Sequence, residues 1–244
     1  MIEVQHIQKR FGAITAVEDV SFIAPNGQIT GLLGPNGAGK TTTLRILYTL
    51  LQPDSGTALV DGFDVQRDTR EVQRRIGALP DSYGLYPRLT ARENIRYYGR
   101  LQGQRGAALE GSIDGLIQLL DMREIADRRT EGFSQGQRLK TAIARALIHQ
   151  PANVLLDEPT NGLDVMTTRA MRKIIRRLRD EGKCILFSSH IMQEVAALCD
   201  SIVVIAHGRV AASGTPDELL RVTGQANLED AFVAAAGMEE ELER

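Results

Sequence analysis

The sequence predicts an α/β fold with a parallel core sheet, and three observations carry that prediction. Four short apolar runs, Ile29 to Leu33, Val154 to Leu156, Ile185 to Phe187 and Ile202 to Ala206, read as buried strands. Longer segments of helical period separate them, the alternation expected of a parallel sheet covered by helices. Shorter β-like pieces at Ile2 to Gln5, Val17 to Phe22 and Thr57 to Val60 carry turn signals at Pro25-Asn26-Gly27 and Asp61-Gly62. They predict an antiparallel layer beside the parallel core.

Between about residues 85 and 150 the strand signals give way to helical ones, which predicts a helical subdomain inserted into the sheet order. Its first start signal is Thr90-Ala91-Arg92-Glu93, a capping box in which each side chain satisfies a backbone N–H at the helix start. A second box, Thr215-Pro216-Asp217-Glu218, with Pro at the first helical position, opens a C-terminal helical tail. The tail ends in Glu239-Glu240-Glu241 and Glu243, a charged end expected to be solvated and without a function of its own.

A length of 244 residues suffices for a core that needs no disulfide or structural metal. With 43% hydrophobic and 25% charged residues, the composition excludes disordered, collagen-like and coiled-coil classes. Lys and Arg number 29 against 31 Asp and Glu, so the net charge of -2 supplies no global field for a nucleic-acid backbone, and no nucleic-acid partner is expected. Cys184 and Cys199 form no CxxC pair, and Cys184 lies in an apolar run, which suits a buried thiol in a reducing cytosol. No run approaches the roughly 18 apolar residues of a membrane span, and the first residues lack a signal peptide's basic-then-apolar order. The chain is expected neither to cross a membrane nor to be exported by itself.

The most informative string is Gly34-Pro35-Asn36-Gly37-Ala38-Gly39-Lys40-Thr41-Thr42, directly after the run Ile29 to Leu33 and before the helical pattern Leu44, Ile46, Leu47, Leu50 and Leu51. Binding a polyphosphate requires many donors converging on a small volume. Glycines at 34, 37 and 39 free the backbone for angles that side chains forbid, so that successive N–H groups point inward. The positive end of the following helix adds a favourable field; Lys40 offers a point charge to the β and γ phosphates, and the Thr41 hydroxyl a ligand to Mg²⁺.

The run Val154 to Leu156 ends in two adjacent carboxylates, Asp157 and Glu158, and ligands of open α/β sheets gather at such carboxyl ends. Mg²⁺ prefers a few hard oxygens plus waters, so Asp157 is expected to contact it through water, leaving Glu158 to accept a proton from the attacking water. Phe133-Ser134-Gln135-Gly136-Gln137 opens a further amphipathic run with Leu139, Ile143, Ala146 and Leu147 on one stripe. A Ser hydroxyl and a Gly N–H at a helix start make a second anion site, which one chain with its own phosphate loop leaves unexplained unless it serves another nucleotide.

These strings, with Asn161-Gly162-Leu163-Asp164 and with His190 after Ser188-Ser189, resemble the ordered motifs of an ABC transporter ATP-binding subunit from about residue 2 to about residue 220. The resemblance implies a P-loop NTPase of the ABC ATPase fold over residues 1–220 and a tail over 221–244. It implies an ATPase using ATP and Mg²⁺ to power a separate integral-membrane permease, at the cytoplasmic face of the cell membrane. It implies a homodimer paired head to tail, in which Ser134, Gly136 and Gln137 of one copy meet the γ-phosphate held by Lys40 of the other. It further implies Phe11 stacking on adenine, Asp164 bridging the two sites, and His190 and Glu158 acting with Lys40 at the γ-phosphate. Phe11 could equally be plain core, whereas a His closing an apolar strand has few structural reasons to be there.

Two positions depart from the family pattern. Asp81 stands where Gln usually touches Mg²⁺ and reports to the membrane partner; it keeps an oxygen and loses an amide donor. The signature reads Ser-Gln-Gly-Gln rather than Ser-Gly-Gly-Gln, retaining Ser134 and Gly136. Tyr83, Tyr86, Tyr97 and Tyr98 cluster beside Asp81, where they suit a protein interface or the insert's own core; the family places a helix of the membrane subunit there. The basic residues Arg172, Lys173, Arg176, Arg177 and Arg179 lie opposite Met171, Ile174, Ile175 and Leu178, the pattern of a solvated helix face. Within the family, the single domain, the strand-rich start and the tail at Ala226 to Phe232 look like sodium-exporter (NatA-like) and multidrug or polysaccharide-type subunits, which implies an exporter of sodium ion or drug-like cargo. The competing reading, a soluble ABC ATPase acting on ribosomes or DNA, generally brings two fused domains or long coiled-coil inserts, and this chain has no heptad run. A P-loop kinase or switch leaves Ser134, Gly136 and His190 without a role.

Overall fold

The four apolar runs become four adjacent strands at the centre of one mixed sheet. The computed structural model describes residues 1–237. Its strands are β1 (Ile2–Phe11), β2 (Ile14–Ala24), β3 (Ile29–Leu33), β4 (Ser55–Val60), β5 (Phe63–Asp64), β6 (Ile76–Leu79), β7 (Asn153–Asp157), β8 (Cys184–Ser189), β9 (Ser201–Ala206) and β10 (Arg209–Gly214). They run in the order β5-β4-β1-β2-β10-β9-β3-β8-β7-β6. Strands β9, β3, β8, β7 and β6 are parallel, and β1, β2, β4 and β5 pair antiparallel. The antiparallel part is continuous with the parallel part: Arg209 of β10 pairs with Asp19 of β2.

Alternation along each central strand explains why the sheet is buried on both sides. Ile29 and Leu33 of β3, Val154 and Leu156 of β7, and Ile185 and Phe187 of β8 enter one hydrophobic cluster. Leu32, Leu155, Cys184 and Leu186, their immediate neighbours, enter the other. Successive strand side chains point to opposite faces, so a continuous apolar run requires cover on both. Full burial of one such side chain contributes about 1.5–3 kcal/mol, and Phe187 is among the largest with no exposed surface.

The cover is helical. Helix α1 (Lys40–Leu47) places Leu44, Ile46 and Leu47 in the cluster it shares with β1, β2 and β4. It ends three residues before Leu50, which the helical pattern had included; Thr49 takes a positive φ of 63° and Leu50 is 68% exposed. Helix α2 (Thr69–Arg75) leads into β6, a strand that the apolar runs did not signal. Between β6 and β7 lie α3 (Ala91–Leu101), α4 (Gly106–Leu119) and α5 (Gln135–Leu147), with Thr90 and Glu93 closing the expected capping box. Helix α6 (Val165–Asp180) buries Met171, Ile175 and Leu178 and exposes Lys173, Arg176 and Arg177, while Arg172 and Arg179 are half-buried, so the expected solvated face holds for only part of the basic run. Helix α7 (Met192–Leu198) follows β8.

Thr215 and Glu218 close a second box on α8 (Pro216–Thr223). Helix α9 (Leu228–Ala236) packs on β9, β10 and α7 with Ala231 and Ala236 buried, so this part of the tail adds to the cover of the sheet. The acidic end, Glu239 to Glu241 and Glu243, lies outside the described residues. Both cysteines are free and buried. Among the described residues no helix is long and apolar enough to cross a membrane.

Candidate functional site

The carboxyl ends of β3, β7 and β8 meet at a cleft of about 670 Å³, within the size range of nucleotide-sized ligand pockets. The loop after β3 forms its floor. Gly37 and Gly39 adopt φ of 82° and 107°, values that disfavour any side chain. Gly34 corrects the expectation that all three glycines serve backbone angles. Its φ is not in that region; instead a Cβ there would stand 2.2 Å from the carbonyl oxygen of Ile205. Glycine is needed at 34 for space, and at 37 for conformation.

Lys40 opens α1 and is only 5% exposed. Its Nζ donates to the carbonyls of Gly34 (2.7 Å) and Pro35 (3.0 Å) and lies 3.9 Å from Glu158 Oε1. Burial holds the ammonium below its ordinary pKa, while Glu158 and Asp157 pull it back upward. The Ala38 carbonyl accepts from Gly208 N–H, tying the loop to the β9–β10 turn. Asn36, Gly37, Gly39, Lys40, Thr41 and Thr42 all line the cleft at the start of α1, where first-turn N–H groups lack intrahelical partners.

Asp157 ends β7, 1% exposed, and its Oδ1 accepts from Thr41 Oγ1 (3.3 Å) and from Ser188 Oγ (2.6 Å). The parallel register, which pairs Asp157 with Ser188, makes that contact possible. Glu158 follows in a left-handed conformation, φ 48°, held by its N–H donating to Ser188 Oγ at 3.0 Å. A non-glycine residue in that region stores roughly 1–3 kcal/mol of strain and persists only where its surroundings fix it. The turn carries the Glu158 side chain back over the cleft, with Oε2 2.9 Å from His190 Nδ1. Ser188 was not singled out for a role in the sequence, because only the strand register shows that its hydroxyl serves both the last residue of β7 and Glu158 after it.

Further residues reach the cleft from the periphery. Phe11, 47% exposed at the end of β1, lines it beside Ala16, with Lys9 Nζ 5.7 Å from the ring centroid. Exposure at this level removes plain core as the reading of Phe11. Asp81, after β6, also lines it, with Oδ1 accepting from Ser82 N–H at 2.8 Å. Tyr83, Gln135 and Asn161 line it too; each stands in a string that the sequence marks, but none was assigned to the nucleotide, because only the folded chain shows which residues of those strings face the cleft.

Ser134, Gly136 and Gln137 are placed elsewhere, on a separate cleft of about 280 Å³. Ser134 caps α5: its Oγ accepts from Gln137 N–H, and Gln137 Oε1 accepts from Ser134 N–H. Gln137 therefore completes the cap rather than standing free. Asp164 caps α6, accepting from Thr167 N–H (2.9 Å) and Thr167 Oγ1 (2.6 Å), and the hydrogen bond to the Thr167 hydroxyl is the main reason its carboxyl lies below the usual range. Thr167 lines the second cleft, so one copy carries a phosphate-type cradle and, apart from it, a second helix start.

The tyrosines divide as well. Tyr98 packs under the Arg145 guanidinium, 4.4 Å from its ring centroid, and belongs to the insert's interior; Tyr86 and Tyr97 are 45% and 41% exposed in an edge-to-face pair with centroids 5.2 Å apart. The core reading holds for Tyr98, while Tyr86 and Tyr97 leave an aromatic pair on the surface.

Comparison with known proteins places this geometry. The family model described as ABC transporter matches residues 17–161. The ABC transporter ATP-binding protein NatA of Bacillus subtilis (strain 168) is 47% identical over 216 residues, 88% of each chain. The Nod factor export ATP-binding protein I of Ralstonia nicotianae is 38% identical over 90% of this chain and 68% of its own. The dimeric structure of MJ0796, a bacterial ABC transporter cassette, superposes with a TM-score of 0.80 at 27% identity, covering 88% of this chain and 98% of that one. The same cassette in a post-hydrolysis state, bound to ADP and Pi, matches with the same TM-score.

Proposed function

The chain belongs to the ABC transporter ATP-binding family and is an ATPase of the exporter type, and on that premise we propose that it cleaves ATP in the Lys40 cleft to drive a separate membrane permease. The observation that carries the site assignment is the convergence of Lys40, Thr41, Asp157, Glu158 and His190 from β3, β7 and β8 on one cleft. Lys40 and the N–H groups of the loop around it, Pro35 having none, bind the β and γ phosphates, and Phe11 stacks on the adenine. Glu158 accepts the proton of the attacking water; His190 holds the γ-phosphate and, through Nδ1, the Glu158 carboxylate.

The donor set fits Mg²⁺. Thr41 Oγ1 and Asp157 Oδ1 lie 3.3 Å apart, hard oxygens with room for phosphate oxygens and water between them and the cleft. Thr41 and, through water, Asp157 would hold the ion, with Asp81 as a third candidate, and it would supply positive charge to neutralise what develops on the phosphates.

Separation of the Ser134 helix start from the Lys40 cleft supports a head-to-tail homodimer in which Ser134, Gly136 and Gln137 of one copy close on the nucleotide of the other, with Asp164 near the junction. Residues 1–220 constitute the ATPase domain, with a helical subdomain at about 85–150 that receives the permease beside Tyr86 and Tyr97, and 221–244 form the tail. The protein thereby sits at the cytoplasmic face of the membrane, and its cargo is a sodium ion or a drug-like molecule. The test is ATPase activity of the purified chain against its own concentration, with Lys40→Ala as control and co-isolation of a multi-span permease from membranes. Specific activity that is the same at every dilution, or recovery with ribosomes and not with membranes, overturns the reading.

A further inference from the structure

Behind the cleft lies a second polar cluster, centred on Glu194 in the first turn of α7. The side chain is buried, 7% exposed. Its Oε2 accepts from the hydroxyl of Thr160 and lies 3.5 Å from that of Ser189, its hydrogen-bond partners among the described residues. Thr160 and Ser189 are buried too. A buried carboxylate is unfavourable unless it is hydrogen-bonded, so the Thr160 hydroxyl is held to it, with the Ser189 hydroxyl at the outer limit of hydrogen-bond distance.

The partners stand at telling positions. Thr160 comes two residues after Glu158 and four before Asp164; Ser189 immediately precedes His190. Ser189 Oγ also accepts from Ile191 N–H at 2.9 Å, which folds the chain around His190. One carboxylate therefore grips the segment that follows Glu158 and the segment that presents His190. These are the segments whose side chains meet at 2.9 Å across the cleft.

We propose that Glu194 is a positioning residue for hydrolysis: through Thr160 and Ser189 it sets the spacing of Glu158 and His190 and couples it to the Asn161–Asp164 turn. The proposal rests on the reading that Glu158 and His190 act at the γ-phosphate. Glu194 itself does not line the Lys40 cleft. Its removal leaves Lys40 and the phosphate cradle intact and loosens only the groups that act on the attacking water, a displacement to which rate is far more sensitive than binding.

The test compares Glu194→Ala, Thr160→Val, their double variant and Glu194→Gln in the full chain, by steady-state ATPase and by melting temperature. Each of the first two lowers kcat roughly 10- to 100-fold with KM for ATP within about 2-fold. The double variant is no slower than the slower single one, because both break one contact. Glu194→Gln, whose amide oxygen still accepts from Thr160, recovers most of the lost rate. A carboxylate that serves stability alone gives a lower melting temperature with kcat intact below it, and that result overturns the proposal; so does a loss carried by a raised KM. Should Glu194→Ala fail to fold, Thr160→Val decides by the same criteria. Failure of the underlying reading is recognised separately, in protein with Glu194 intact, by full turnover in Glu158→Gln.

Discussion

Glu158 divides its carboxylate between two partners: Oε2 lies 2.9 Å from His190 Nδ1 and Oε1 3.9 Å from Lys40 Nζ. The proposed proton acceptor is thus held between the two groups proposed to act on the γ-phosphate, by side chains from the segments that follow three different strands. Replacing it with Gln retains the shape and removes the basic oxygen. Glu158→Gln is expected to bind ATP normally, to lose about 10²-fold or more in kcat, and to accumulate as an ATP-dependent dimer. Size-exclusion chromatography with and without ATP checks this; a monomer in ATP would defeat the two-copy site.

Glycines 34 and 37 should fail for different reasons. Gly34→Ala drives a Cβ to 2.2 Å from a backbone oxygen of β9, which can yield only by moving the loop or the strand. A cost of about 1–3 kcal/mol, seen as a lower melting temperature, is expected together with weakened nucleotide binding. Gly37→Ala meets no neighbouring atom and is strained only by its φ of 82°, at about 1 kcal/mol. Thermal melts and nucleotide titration of the two variants separate crowding from conformation.

Asp81 contributes a carboxylate to the cleft where the family pattern has an amide. If it helps hold Mg²⁺, Asp81→Gln raises the Mg²⁺ concentration for half-maximal ATPase several-fold while leaving the fold unchanged. An unaltered Mg²⁺ dependence removes Asp81 from the metal site.

The two thiols lie in the core, and burial pushes Cys184 from its ordinary 9.0 up to about 11 and raises Cys199 as well. Neither is expected to react with a thiol reagent at pH 8 until the protein is denatured. A raised pKa means that the folded state holds the proton more tightly. The associated stability is present below pH 9 and is lost as pH rises toward 11. Urea midpoints at pH 8 and pH 10.5 should therefore fall further for the wild type than for Cys184→Ala with Cys199→Ala, by about 1–3 kcal/mol in stability. Equal pH dependence in the two proteins would count against thiol burial as its source.

Much of the molecule was legible in the chain because its signals are local. The phosphate loop is contiguous, its glycines, Lys40 and Thr41 sit between a five-residue strand and a helix, and the boxes at Thr90 and Thr215 close over three residues. Apolar continuity likewise marked β3, β7, β8 and β9, since a strand buried on both faces has no polar alternation to hide it. Short β6 and half-exposed β10 lacked that continuity and went unmarked.

What the sequence by itself determined, then, is the identity of the parts: a phosphate cradle, a strand ending in two carboxylates, a capped helix start and a histidine after an apolar run. Tertiary structure alone decided which of them meet. The register that sets Asp157 beside Ser188, the left-handed turn at Glu158 that returns its side chain to His190, the crowding of Gly34 by Ile205 and the grip of Glu194 on Thr160 all join residues from different elements. Local propensity acts over a few residues, whereas these contacts span between 30 and about 170 positions, and their geometry follows from strand order and packing, which no short stretch of chain encodes.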